Sequence, residues 1–170
     1  MAKYSYGCGL FIGRFQPFHK GHLYALKYAL RLSKKVIIGI GSAEEYGTSR
    51  NPLTSNSRIK IIKSAFKEQE IDMKRIGFFE IPDFNDNDAW FDFIMHKSPK
   101  VQVVFSRNSL VRRIFRSRGV PVVSPPWHKR QKLSATKVRK LIRAGRKWQD
   151  KVPSGSVRRI AEGLGAAATK

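Results

Sequence analysis

Cysteine is almost absent from this chain of 170 residues: Cys8 stands alone, so no disulfide can form within it, and a small disulfide-framed secreted scaffold is excluded. Long hydrophobic runs are missing too. No apolar stretch approaches the roughly 20 residues that cross a bilayer, and the opening MAKYSYGCGLFIG is too short and irregular for a signal peptide. The expectation is a cytoplasmic protein with no membrane partner. Acidic residues are scarce, 12 against 34 lysines and arginines, which leaves a net charge of +22. Much of the excess lies between Trp127 and Glu162, where twelve cations, Lys129, Arg130 and Lys132 among them, face only Asp150 and Glu162. A field of that size draws polyanions: nucleic acid, acidic membrane or small phosphorylated molecules. Histidine is limited to His19, His22, His96 and His128. With no cysteine cluster, a protein-built zinc site lacks the three or more ligands that such sites recruit.

Strand-like and helix-like segments alternate. CGLFIG (8–13), KVIIGIG (35–41), IGFFEIP (76–82), KVQVVFS (100–106) and GVPVVSPP (119–126) are short apolar runs closed by glycine, serine or proline, and they predict five strands. Pro121 marks the last as an edge strand. HLYALKYALRL (22–32), SNSRIKIIKSAF (55–66), NDNDAWFDFIMH (85–96), NSLVRRIFRS (108–117) and SATKVRKLIRAG (134–145) predict helices. The second carries Ile59, Ile62 and Phe66 on one face, with Ser55 to Ser57 supplying its cap. Gly145 stops the fifth. A further helical piece is expected over 155–162, before a frayed GAAATK tail. Strands that read as continuous apolar runs between helices imply a parallel sheet covered on both faces. The expected fold is α/β: a Rossmann-like, doubly wound, five-stranded parallel sheet with a small helical C-terminal extension. With no internal repeat or linker, residues 1–170 are expected to form one domain, with a core over about 7–145 and a basic extension over about 146–170.

In such open sheets ligands bind beyond the carboxyl ends of the strands, where the strand order reverses. GRFQPFHKGH (13–22) runs from the end of the first strand into the first helix, whose free N–H groups and partial positive charge suit a phosphate. His19 and His22, three residues apart, share one side of the first turn. Gly21 removes a side chain there and lets a ligand approach the backbone. Arg14 adds a forked donor, and Pro17 stiffens the turn. The bland alternative is a pair of surface histidines in a basic loop. Elsewhere, Thr54 and Arg58 fit a helix cap and a solvated charge. Trp90 fits a core aromatic beside Phe91, Phe93 and Ile94. Ser134, Thr136 and Arg139 fit either a capped helix with a basic face or a triphosphate clamp.

GRFQPFHKGH resembles the (H/T)xGH signature of the nucleotidyltransferase superfamily related to class I aminoacyl-tRNA synthetases. Its longer form, from Gly13 to His22, is similar to the archaeal type of nicotinamide-nucleotide adenylyltransferase. Further segments resemble that family in the same order: GSA (41–43), RNPLTSNSR (50–58), Asp83-x-x-x-Asn87-x-x-Trp90, SRNSLV (106–111) and LSATKVR (133–139), the second superfamily signature. Together they cover about Leu10 to Trp148. Ala135 replaces another small residue. Arg107 stands where a small residue is usual, so it either crowds the nucleotide or adds a charge to it.

The resemblance implies transfer of AMP from ATP to nicotinamide mononucleotide (NMN), releasing pyrophosphate and forming NAD. It implies His19, His22, Arg14 and Arg139 as catalytic residues. ATP would contact Gly13, Arg14, Phe15, Gln16, His19, Gly21, His22, Asn108, Ser134, Thr136 and Arg139. The mononucleotide would contact Phe15, Ser42, Arg50, Asp83, Asn87 and Trp90. Mg²⁺ would be held through the ATP phosphates, with no protein metal site, and the family suggests a homo-oligomer, a hexamer by analogy. The alternatives are another member of the superfamily, such as phosphopantetheine adenylyltransferase, or a basic nucleic-acid-binding module that stacks bases on Trp127 and Trp148. A Gly-Thr-Phe-Asp lead typical of the former is replaced here by Gly-Arg-Phe-Gln. No recognised nucleic-acid motif supports the latter, so no dedicated nucleic-acid partner is expected.

Overall fold

The computed structural model describes residues 4–126 and 133–165. Its centre is β1 (Tyr6–Gly13), a strand with apolar residues on both sides. Side chains alternate across a strand, so Leu10 and Phe11 enter different cores. Leu10 packs with Ile81, Val104, Ile114 and Phe115, whereas Phe11 packs with Leu26, Val36, Phe66 and Phe105. This is why the run carries no polar alternation: neither face meets water.

β2 (Ser33–Gly41) pairs with β1 in parallel, placing Leu10 opposite Ile37, and β3 (Ile76–Ile81) pairs outside it. β4 (Val103–Phe105) adds to the other side of β1, and β5 (Val122–Val123) closes that edge. The sheet order is β3-β2-β1-β4-β5. Strand order therefore reverses between β1 and β4, which opens a crevice above their carboxyl ends. The edge place that Pro121 predicts for the last strand holds. β4 is shorter than the 100–106 run because Val101 donates to Ser98 O and Gln102 to Cys8 O before the ladder begins.

One face of the sheet carries α1 (Lys20–Leu32) and α2 (Ser55–Glu68); the other carries α3 (Asn87–Lys97) and α4 (Ser109–Ser117). α5 (Ala135–Arg143) and α6 (Val157–Leu164) join the first face through Val138, Ile160 and Ala161. Short polar side chains set the helix starts by accepting from the first free N–H groups. Asp86 caps α3, Asn108 caps α4 and Ser134 caps α5. Thr54, rather than Ser55 to Ser57, caps α2 by accepting from the Ser57 amide. α1 runs into β2 without a loop, since the Ser33 amide still donates to Ala29 O. Gly145 and Gly165 take left-handed conformations, φ 59° and 61°, just beyond α5 and α6.

The basic C-terminal segment is tied into the first face rather than hung from it. Trp148 and Val152 lie in the same core as Leu26 and Phe66. Ser156 Oγ donates to Ile61 O at 2.9 Å, and the Gly155 amide donates to Glu68 Oε2 at 2.8 Å. Base stacking on Trp148 is thereby corrected, because only 3% of the residue is exposed. Trp127, with Lys129, Arg130 and Lys132, lies outside the described residues. No helix among the described residues is long and apolar enough to cross a membrane.

Candidate functional site

The turn from β1 to α1 is built inward from its aromatics. Phe15 adopts a left-handed backbone, φ 51°, and its ring contacts Phe11 and Phe18. A Cβ on Gly13 would sit 2.8 Å from that ring, so a side chain there is excluded by the turn itself. Gln16 is buried, and its amide clamps Leu53: Nε2 donates to Leu53 O at 2.8 Å, while Oε1 accepts from the Leu53 amide at 2.9 Å. ATP contacts expected at Phe15 and Gln16 would therefore fall to their main chain, since both side chains point into the protein.

His19 is the N-cap of α1, which begins at Lys20 and not at His22. Its Nδ1 accepts from the Gly21 and His22 amides at 3.1 and 3.3 Å, and His22 Nδ1 accepts from the His19 amide at 3.3 Å. This is a capping box made of two imidazoles in place of the usual hydroxyl and carboxylate. An Nδ1 that accepts leaves the ring proton on Nε2. Burial lowers the His19 pKa to about 4; burial, and then the neighbouring His19, drive that of His22 well below its ordinary value. Both rings are neutral Nε2–H donors. Gly21 has a second reason beside the one its position suggests: a Cβ there would come within 2.9 Å of His19 Cε1. The glycine makes room for the histidine, and it also lines the smaller cavity.

Arg139 reaches back to this turn, with Nη1 donating to Gln16 O at 2.7 Å and Nη2 to Thr136 Oγ1 at 3.4 Å. Its pKa is lowered by burial first and then by Arg143, Arg14 and Arg50. Four guanidiniums thus share one region, with their mutual repulsion uncompensated by any ion pair between described residues. Arg143, which also donates to Ser49 O, was not among the expected site residues. Its signal in the sequence was its place one turn beyond Arg139 on α5.

Two cavities open above the strand ends. The larger, about 500 Å³, is lined by Gly13, Arg14, Ser42, Arg50, Asp83, Asn87, Trp90 and Asn108 among others. This gathers every residue expected on the mononucleotide side except Phe15. Ser42 (left-handed, φ 47°) donates from Oγ to Asp83 Oδ1 at 2.9 Å. Trp90 is half-buried: it lines the cavity and sets its ring edge-on against Phe115, so it is core and wall at once. The smaller cavity, about 350 Å³, is lined by His19, Gly21, His22, Asn108 and Ser134. Arg14 opens onto the larger cavity, not onto the histidine cavity where ATP contacts were expected, and Thr136 and Arg139 line neither. Asn108 borders both; its Oδ1 caps α4 by accepting from the Val111 amide at 3.1 Å, so its Nδ2 donor faces outward. Arg107 bends its guanidinium onto Pro125 O along the histidine cavity wall. The residue that sequence reasoning read most differently is Arg58, expected at the surface and found fully buried. Among the described residues, no three His, Cys, Asp or Glu side chains gather to hold a metal ion.

Comparison with known proteins shows the family. Residues 10–141 match the cytidylyltransferase-like family. The chain is 43% identical over 154 residues to the nicotinamide-nucleotide adenylyltransferase of Pyrococcus horikoshii, covering 91% of this chain and 82% of that one. It is 39% identical to the enzyme of that name from Saccharolobus solfataricus, covering 91% and 90%. Among solved structures, it resembles a bifunctional NMN adenylyltransferase/ADP ribose pyrophosphatase from Francisella tularensis, complexed with AMP and Mn ion. That match has a TM-score of 0.80 at 26% identity and covers 96% of this chain. This chain spans 50% of the bifunctional one. The chain belongs to the cytidylyltransferase-like family and, within it, groups with the nicotinamide-nucleotide adenylyltransferases.

Proposed function

We propose that the chain transfers AMP from ATP to nicotinamide mononucleotide, forming NAD and pyrophosphate, and that it does so as one domain. The observation that carries this reading is the pair of neutral imidazoles at the N-terminus of α1, set beside four clustered guanidiniums. An oxygen of the mononucleotide 5′-phosphate attacks the α-phosphorus of ATP. The bond from that phosphorus to the bridging oxygen breaks, and its electron pair leaves on pyrophosphate. The attacking phosphate is already ionised at neutral pH, since its second pKa is about 6. No protein nucleophile or general base is required, and catalysis rests on placement and charge neutralisation.

In this reading the histidine cavity receives ATP. The Nε2–H groups of His19 and His22 donate to its phosphates, with His22 nearest the α-phosphate. Thr136 and Arg139 hold the β- and γ-phosphates. Ser134 and the Asn108 amide border the nucleotide, and Gly13 and Gly21 serve by keeping the Phe15 and His19 rings in place. Arg14, on the wall of the larger cavity, meets the phosphates from the mononucleotide side. Asp83, Asn87 and Trp90 seat nicotinamide, with Ser42 fixing the Asp83 carboxylate and Arg50 meeting the mononucleotide phosphate. The donors that converge here are guanidiniums and imidazoles, so a divalent ion fits through the oxygens of ATP rather than through a protein cage. Such an ion, Mg²⁺ in this reading, supplies charge neutralisation on those phosphates. A cytoplasmic location and a homo-oligomer, a hexamer by analogy with the family, belong to the same proposal; light scattering tests the latter.

The test is pyrophosphate release from the purified protein with ATP and Mg²⁺, comparing nicotinamide mononucleotide, phosphopantetheine and no acceptor. Release with the mononucleotide alone, with matching NAD, is expected. Release only with phosphopantetheine, or with none of the three, overturns the reading.

A further inference from the structure

Among the described residues Arg58 has the largest fully buried side chain, and no carboxylate lies within ion-pair distance of it, although Glu80, Glu44 and Asp83 act on it from farther off. A buried charge with no direct ion pair is costly. It is tolerated here because each of its N–H groups meets a main-chain carbonyl. Nη1 donates to Gly41 O at 2.7 Å and to Arg14 O at 3.0 Å. Nη2 donates to Ser42 O at 3.0 Å and Ala43 O at 3.4 Å, and Nε to Thr54 O at 3.3 Å. A guanidinium has five donors, and five carbonyls take them. These come from three segments that meet nowhere else in sequence: the exit of β1, the exit of β2 and the cap of α2.

We infer that Arg58 is a positioning residue for the mononucleotide side of the site, acting through the main chain that it holds; the inference rests on the function proposed above. In a trans peptide the C=O and N–H point in opposite directions, and the one cis bond among the described residues is Gln16–Pro17. By drawing in the carbonyls of Arg14 and Gly41, Arg58 turns the amides of Phe15 and Ser42 the other way. Those two residues are left-handed, φ 51° and 47°, a backbone that non-glycine residues hold only when their surroundings impose it. Arg14, Gly41 and Ser42 all line the larger cavity. The result is the Ser42 amide and the Arg14 side chain presented to a phosphate there, above a fixed positive charge, with the left-handed Phe15 holding the Arg14 turn in place. None of the five carbonyls belongs to a residue that lines the histidine cavity. The effect of Arg58 therefore falls first on the mononucleotide side, with Arg14 as its one link to the ATP phosphates.

The test is a split between the two Michaelis constants. Lysine carries the charge on one nitrogen and cannot spread donors over three segments, so Arg58→Lys and Arg58→Gln are both expected to fail in the same direction. The KM for nicotinamide mononucleotide rises about tenfold or more, while the KM for ATP moves less than about threefold. Thermal melting reports the structural share separately. Equal changes in both constants, or a lowered melting temperature with neither changed, overturn the inference. If neither variant folds, the wild-type protein decides. The amide ¹⁵N–¹H resonance of Ser42 should shift downfield on adding the mononucleotide and stay in place on adding a non-hydrolysable ATP analogue; a stationary resonance with saturating mononucleotide overturns the inference. Wild-type protein that binds no mononucleotide at all strikes instead at the proposed function.

Discussion

His19 and His22 lie face to face, ring centroids 3.7 Å apart and planes 20° from parallel, each accepting through Nδ1 from the other's main-chain amide. The bonds that close the first turn of α1 also fix which nitrogen of each ring faces outward. Phe18 stacks on His22 at 5.6 Å and Phe15 meets it edge-on at 5.0 Å, which removes the remaining rotational freedom. Each ring thus caps the helix through Nδ1 and is left with an Nε2–H donor.

A pH dependence of stability follows. The His19 pKa is lowered by burial from 6.5 to about 4, and that of His22 is lowered as well. Between those values the unfolded chain binds protons that the folded chain does not. Stability is fully present above about pH 6.5 and is lost as pH falls toward about 4. Urea midpoints across this range should decline in that window, and His19→Asn should flatten the decline. A wild-type midpoint that stays level would mean that the rings are already charged in the folded protein.

The guanidinium cluster predicts that inorganic tripolyphosphate, with no nucleoside attached, stabilises the protein. Anions between Arg14, Arg50, Arg139 and Arg143 relieve the repulsion that lowers the Arg139 pKa. At about 100 times its dissociation constant such a ligand adds about 2.7 kcal/mol to unfolding, read as a rise in melting temperature. Raised salt should weaken the effect through screening. Arg139→Met should remove most of it, whereas chloride at matched ionic strength should not reproduce it.

Gly21→Ala separates geometry from stability. The new Cβ meets His19 Cε1 at 2.9 Å and Nδ1 at 3.0 Å, so the ring must turn. Alanine is at the same time the better helix former by about 1 kcal/mol. The expected outcome is a melting temperature near that of wild type, with turnover lower by about two orders of magnitude. Turnover within twofold of wild type would show that the His19 orientation is immaterial.

Gln16→Ala leaves Leu53 with a buried amide and a buried carbonyl unpaired. That should cost about 2 kcal/mol, measured by urea denaturation, and the damage should fall on stability before catalysis. A variant with wild-type stability and lost ATP affinity would return the Gln16 side chain to the nucleotide.

Trp148→Ala tests whether the C-terminal segment completes the core. Removing a buried indole costs about 3–5 kcal/mol, and Trp148 shares its cluster with Phe66 and Ile160. A loss near zero in equilibrium unfolding would detach residues 146–165 from the rest.

By itself the sequence determined the elements and the chemistry. Apolar runs of strand length between amphipathic helices are a local property, as are caps such as Asp86 and Ser134, and each acts within a few residues of itself. The order of GRFQPFHKGH, RNPLTSNSR and LSATKVR pointed to the reaction through their resemblance to a known family, whereas the residue types alone pointed only to a phosphate site at the strand ends. Inward or outward orientation was decided only by tertiary structure. Arg58 occupies the apolar stripe of α2 with Ile61, Ile62 and Ala65, at spacings of three, four and seven. A charged residue on such a stripe reads as solvated until carbonyls from two distant strands are brought around it. Gln16, Phe15 and Trp148 turned inward for the same kind of reason: the partners that bury them, Leu53, Phe11 and Ile160 among them, are remote in sequence. The reason is physical. Burying a polar or aromatic side chain depends on partners supplied by other segments, and chain order does not reveal those partners until the sheet has assembled.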